Sequence, residues 1–345
     1  MWQKNLSIKR EEGCDMSAMD SRFSADHQKH TLWARLFKRG RDKGPKGGGS
    51  VGGYLKRTWM LYLMLVLPAA FFIIFRYIPM TFMWAAFSDF TIFEPRLFDN
   101  AWVGLDNFRH AFTQHDFLPA VRNTLLLNFL DLILGFPMPI ILAILLNELK
   151  FRKFKRFTQT VLYMPHFISW VVVSGMAVQL LATHFGLINL FLGTNIPFMT
   201  NGNHWVFSYV MMGIWKSAGW GTIIYLAAIA GINQELYEAA EVDGANRFQK
   251  IIHVTIPCIM PTMVILLILT MGSMMGIEFD RPWVLRNPAV ADQADVLSTF
   301  IYRRGILNFQ YSMTAAVGAF QSGINVILLV TANMIAKKAG ERGIW

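Results

Sequence analysis

The sequence predicts an all-α integral membrane protein with six transmembrane helices, and three observations carry that reading. Apolar residues make up 54% of the 345 residues and charged residues only 16%, against about 25% charged in an ordinary soluble domain. No Asp, Glu, Lys or Arg occurs from Phe157 to Trp215, nor again from Gly305 to Ala336. Such runs match membrane spans, which need about 20 mostly apolar residues each. The same composition excludes a soluble enzyme and a disordered chain. Cys14 lies in a polar tail and Cys258 in an apolar run, so no disulfide framework is implied.

Residues 1–57 read as a basic, flexible cytoplasmic tail. The first 58 residues hold 13 of the 32 Lys and Arg. The run Lys38, Arg39, Arg41, Lys43, Lys46 leads through Gly47-Gly48-Gly49 to Lys56-Arg57. That pattern fits a flank held near anionic membrane lipid, with the glycines as a linker. A nucleic-acid partner is not expected, because a binder would carry these charges on a folded basic face. The tail is too long and polar for an ordinary signal peptide; Met1, Met16 and Met19 stay open as the start.

Residues 58–345 form the expected six-span domain. The first span, 58–87, is interrupted by Pro68, Arg76 and Pro79 and should kink, or end near Arg76 and restart. The second, 123–146, holds Asp131. The third is 158–181. The fourth, 205–230, holds Lys216. The fifth is 255–277 and the sixth 312–336. Placing both termini in the cytoplasm puts 23 of the 32 Lys and Arg on that side, in the tails and in loops 147–157 and 231–254. Seven arginines, Arg96, Arg109, Arg122, Arg281, Arg286, Arg303 and Arg304, fall outside. Positive charge retained inside supports this orientation.

The loop between spans four and five is distinctive. Glu235, Glu238, Glu241 and Asp243 fall within nine residues. Gly244 suits a tight turn between two short helices. Ala245, Phe248, Ile251 and Ile252 follow at helical spacing. The segment reads as an amphipathic helical hairpin across the inner membrane face, and small Ala239 and Ala240 allow another backbone to approach. Composition alone is equally met by an interfacial helix with a solvated acidic face.

Glu238-Ala239-Ala240, then Asp243-Gly244, then Ile256-Pro257 resembles the EAA loop of binding-protein-dependent ABC importer permeases of the carbohydrate-uptake, MalF-like type. The resemblance covers about residues 58 to 345. It includes Leu162–Trp170 and Tyr225–Ile232. Tyr311–Gly318 and Gly343-Ile344-Trp345 are similar to the branch importing oligosaccharides from polysaccharide breakdown, to which alginate-oligosaccharide permeases belong. The resemblance implies a type I ABC importer, MetI-like fold with a cytoplasmic coupling helix, in a bacterial inner membrane. It implies a second homologous permease, two cytoplasmic ABC ATPase subunits and an extracytoplasmic sugar-binding protein as partners. Glu238, Ala239, Ala240, Asp243 and Gly244 would then couple to an ATPase. This chain is expected to be a transport subunit and not an enzyme. ATP and Mg belong to the partner ATPases: Gly44-Pro45-Lys46-Gly47-Gly48 lacks the phosphate-loop pattern and reads as linker.

Ionisable groups inside spans are costly unless they face a cavity or a partner. Lys216 and Asp131 are therefore candidates to line a substrate path, and a buried ion pair or a snorkelling lysine is the alternative. Trp170, Trp215 and Trp220 are candidates for stacking on sugar rings, against packing or an aromatic belt. His166 reads as a packing residue, with no second ligand at metal spacing. Two other classes were weighed. Asn287-Pro288-Ala289 resembles an aquaporin signature, but it stands once and in a polar loop. An ion-coupled secondary transporter is disfavoured by the absence of a repeat and by few intramembrane acids. Glycerol phosphate or another small solute is the alternative cargo. The outer loop 278–310 carries four acids and four arginines, no net charge to select an anion.

Overall fold

The computed structural model describes residues 51–91, 98–341 and 343–345. The basic run, the Gly-rich linker, Cys14, Met16, Met19, Arg96 and Arg342 lie outside the described residues. The chain divides into two units at Thr81. Among the described residues there is no strand, only an isolated antiparallel bridge between Ser88 and Trp102.

In the first unit, α1 is Val51–Phe72, beginning seven residues before the expected span. It passes into a wide turn over Ile73–Tyr77 and a short helical turn at Ile78–Met80. Pro79 has no N–H to give to a carbonyl one turn back. The backbone loosens there, and the Ile78 N–H reaches the Ile73 carbonyl instead. The helix does not stop at Arg76. None of the side chains from Trp59 to Thr81 is buried, as suits a surface whose solvent is hydrocarbon.

The second unit is a bundle. Its helices are α2, Asp106–Phe112; α3, Phe117–Glu148; α4, Arg152–Tyr163; α5, Trp170–Leu181; α6, Leu187–Leu192; and α7, Gly202–Ala230. There follow α8, Gln234–Val242; α9, Arg247–Met271; α10, Asp280–Leu285; α11, Leu297–Ile301; and α12, Tyr311–Lys338. α3 and α9 contain wide turns at Asp131–Gly135 and Ile251–Thr255.

Four helical runs are long and apolar enough to cross a membrane: Thr58–Phe87, α3, α9 and α12. Taking Arg152–Phe167 with α5 as one span makes five, but that pair is bent by 102°. The straight helix expected over 158–181 is thus broken. Pro165 sits in a tight turn at Met164–Phe167, and the Ser169 side chain accepts the Val172 N–H to start α5 afresh. α7 is 29 residues long, yet polar and glycine positions dilute it. Eleven of its residues are buried, among them Trp205, Tyr209, Thr222 and Tyr225. A helix that faces protein needs less hydrocarbon-like surface than one that faces lipid.

Two further bounds differ from expectation. The fifth span begins at Arg247 inside the expected inner loop and ends at Met271, short of Ile277. The expected outer loop 278–310 is folded: α10, α11 and the chain between them bury Arg281, Leu285, Asp295, Leu297, Thr299 and Phe300. Within it Asn287 caps a three-residue turn by accepting the Ala289 N–H, and its amide donates to the Met199 carbonyl. That local role accounts for the Asn-Pro-Ala triplet, which opens no half-helix.

The core follows α7. Trp205, Tyr209, Val210, Leu127, Leu285 and Val296 pack at one end, and Tyr225, Ile229, Ile140, Ala143 and Ile259 at the other. Phe117, Phe300, Met313 and Val317 join α3, α11 and α12 in a third cluster.

Candidate functional sites

At one end of the bundle α8 and the start of α9 form a hairpin. Asn233 begins α8 by accepting the Glu235 N–H. The helix ends at Asp243. Gly244 follows with φ +78°, where only glycine sits without strain. The Ala245 N–H reaches the Ala240 carbonyl, and the Gly244 N–H reaches that of Glu241, the paired bonds of a left-handed helix stop. Asn246 and Gln249 then exchange side-chain and backbone hydrogen bonds at 2.8 and 2.9 Å to open the next helix.

Lys250 bridges the hairpin at its surface: its ammonium donates to Glu241 at 2.8 Å and lowers the pKa of that carboxyl. The hairpin is tied to the span by Tyr237, whose hydroxyl lies 2.9 Å from Thr255 Oγ1. Burial raises the Tyr237 pKa above its ordinary value, with the Thr255 bond opposing. No α8 residue is fully buried, Tyr237 being half-buried. Glu238, Ala239, Asp243 and Gly244 are exposed and Ala240 half-buried. Val242 and Phe248, either side of the turn, are 88% and 70% exposed. A rigid turn therefore presents apolar knobs beside acids.

The second group lies midway along α7. Lys216 Nζ donates to the His166 carbonyl at 2.9 Å and stands 5.3 Å from the Trp170 ring centre. Among the described residues no carboxylate pairs with it. The carbonyl it meets belongs to the broken turn between α4 and α5, so the lysine satisfies an acceptor that the break leaves free. Trp220 is stacked on His166, with ring centres 4.5 Å apart and 4° between planes, and stays partly exposed, as does Trp215. Trp170 is buried. Its indole N–H donates to Glu278 at 2.9 Å, and Arg281 stands 5.3 Å from its ring. Of the three tryptophans, Trp170 is committed to packing, while Trp215 and Trp220 retain open surface.

Asp131 is ion-paired to Arg281 of α10, in the segment read from the sequence as the outer loop 278–310. Arg281 also donates to the Tyr209 carbonyl at 2.7 Å and lies 3.7 Å from the Tyr209 ring centre. The notch that admits it is Gly213, where a Cβ would collide with the guanidinium. Beside Asp131 a cavity of ≈ 180 Å³ is lined by Asn128, Thr270, Ser273 and Gly276. Neither Arg281 nor Asn128 was marked by the sequence. An arginine in a polar stretch and an asparagine in a helix give no local signal of burial.

Towards the opposite end from the hairpin, Asp116 meets Arg304 Nη2 at 2.7 Å and Arg303 Nη2 at 3.3 Å, and Arg303 also pairs with Asp295. Burial of Asp116 works to raise its carboxyl. The Arg304 hydrogen bond and the charges of Arg304 and Arg303 outweigh it and hold the pKa below the usual value.

A bundle of apolar helices with its tied hairpin and a broken span defines a helical membrane protein. Residues 119–341 match the family of binding-protein-dependent transport system inner membrane components. The chain belongs to that family, the ABC importer permeases, and is a transport component and not an enzyme. It is 40% identical to Protein LplB of Bacillus subtilis strain 168 over 297 residues, covering 84% of this chain and 92% of that protein. It is 41% identical over 289 residues to the polygalacturonan/rhamnogalacturonan transport system permease protein YteP of the same strain, covering 83% and 90%. A crystal structure of bacterial alginate ABC transporter in complex with alginate pentasaccharide-bound periplasmic protein is similar, with TM-score 0.77 and 36% identity. That match covers 85% of this chain and 99% of the other.

Proposed function

We propose that this chain forms half of the translocation pathway of an ATP-driven importer for oligosaccharides released from polysaccharides, handed over by an external sugar-binding protein. The observation that carries the cargo class is the joint similarity to a polygalacturonan/rhamnogalacturonan permease and to an alginate transporter. Lys216, unpaired with any carboxylate among the described residues, gives the middle of α7 a cation. With Trp215 and Trp220 it supplies what a sugar needs, donors for oxygens and flat apolar faces.

In this reading α7 and the bent pair α4–α5 complete a six-span domain in the bacterial inner membrane, both termini in the cytoplasm. A second homologous permease supplies the other half of the path. The hairpin Glu238, Ala239, Ala240, Asp243 and Gly244 docks on one of two ATPases, which hold ATP and Mg. Its tie through Tyr237 and Thr255 to α9, and its covalent join to α7, let ATPase closure tilt those helices as rigid bodies.

The test is uptake by the full complex in proteoliposomes. Labelled oligogalacturonides or alginate oligomers should accumulate with ATP and the binding protein, and not without either. Accumulation driven by an ion gradient without ATP would overturn the class. Selective uptake of glycerol phosphate would overturn the cargo.

A further inference from the structure

We infer that the segment from Ala182 to Phe198, which joins α5 to α7 at the end of the bundle away from the coupling hairpin, is a membrane-embedded interfacial element and not a water-facing loop. Two independent observations carry this. The first is the surface it shows. Phe185 is 84% exposed, Leu187 60%, Leu190 64% and Phe191 90%. No Asp, Glu, Lys or Arg occurs anywhere in the segment. α6 is apolar on every exposed side, and a helix apolar all round requires apolar surroundings on all those sides. Lipid meets all of those sides at once.

The second observation is how the backbone is satisfied. Asn189, the polar residue of α6, is buried. Its amide donates to the carbonyls of Ala182, Thr183 and Ile196, and its Oδ1 accepts from the Thr194 hydroxyl and the Ile196 N–H. One side chain thus serves the irregular backbone on both sides of the helix. Backbone groups still open to water can be met by it. In hydrocarbon each unserved one is costly, and irregular chain persists there only when its polar groups are met internally. The apolar surface also continues from α5, where Val171, Val172 and Val178 are exposed. Polar Thr183 and His184 at one end, and Thr194 and Asn195 at the other, mark where the element meets the headgroups.

The occupant we assign to this surface is the boundary between headgroups and acyl chains, reached by Phe191 and Leu190. The experiment uses the assembled transporter in liposomes, with Cys14 and Cys258 replaced by Ser. One environment-sensitive fluorophore is placed by Phe191→Cys, or separately by Leu190→Cys, and Asp106→Cys at the exposed start of α2 serves as the aqueous control. The expected result at 190 and 191 is blue-shifted emission, quenched most by lipids brominated about 5–10 Å below the headgroups, and little by iodide. Asp106→Cys should show the reverse. Water-like emission with strong iodide quenching at both positions would overturn the proposal. So would protection from both quenchers, which would mean that a second permease or the binding protein covers the segment. The readout is independent of the cargo.

Discussion

Arg281 and Asp131, 150 residues apart in sequence, form a two-point ion pair, Nη1 to Oδ2 at 2.6 Å and Nη2 to Oδ1 at 3.2 Å. The pair joins α10 to the wide turn in α3, and the same guanidinium reaches α7 through the Tyr209 carbonyl. Three elements distant in sequence are pinned at one point. Removing one partner of such a pair leaves a buried charge and costs about 3–5 kcal/mol, whereas replacing both by apolar groups is often near neutral. Asp131→Ala should therefore lower the melting temperature of the detergent-purified complex markedly, and Asp131→Leu with Arg281→Leu should recover most of the loss. A double variant as unstable as the single one would show that the ion pair is not the cause.

The cluster around Asp116 predicts a pH dependence. Its carboxyl is held below 3.8, the unfolded reference. A group depressed on folding contributes stability that is fully present above the unfolded pKa and is lost as pH falls through the folded pKa. The stability difference between the native chain and Asp116→Asn should be constant from neutral pH to about 4, then shrink on further acidification. Melting curves across that range check it; a difference unchanged at lower pH would contradict the assignment.

Lys216 has two jobs on offer, holding the His166 carbonyl and meeting cargo, and they separate experimentally. Lys216→Ala should lower uptake by roughly tenfold, equivalent to about 1.4 kcal/mol, while the subunits still co-purify. Lys216→Arg should retain part of the activity, since it keeps a cation able to reach an oxygen. A purely structural lysine would instead give a lower melting temperature with the KM for cargo unchanged.

Local features were legible in the sequence and distant pairings were not. Glu238-Ala239-Ala240 and Gly244 marked a helix and a turn because caps and turns are written in adjacent residues. The pairing of Arg281 was not legible, because nothing near it in sequence announces Asp131 or the notch at Gly213. The six-span count relied on apolar length. That measure overlooks the 102° break after Phe167 and the side of α7 that faces protein, where Trp205, Gly213 and Gly219 are buried. Trp170 could stack on a sugar or pack, and what settles it for packing is Glu278, far along the chain, which accepts its indole N–H.

The coupling hairpin gives the strongest test of the proposed function. Gly244 holds φ +78° with open space around it, so a replacement there strains the backbone without meeting a neighbour in this chain. A left-handed conformation costs a non-glycine residue roughly 1–2 kcal/mol, and proline cannot adopt it. Glu238 is exposed six residues earlier, on the helix expected to dock. A lost polar contact at that interface costs about 1–3 kcal/mol, enough to weaken ATPase docking by roughly ten- to a hundredfold. Neither position lies in a span, so folding of the membrane domain should be spared. Gly244→Pro and Glu238→Lys should each reduce the ATPase retained on pull-down of the permease, and reduce uptake in parallel. The Glu241–Lys250 pair offers an internal control: it is solvent-exposed on the glutamate side, so Glu241→Gln should change both readouts far less. Normal uptake by the combined Gly244→Pro and Glu238→Lys chain would show that coupling runs through another element.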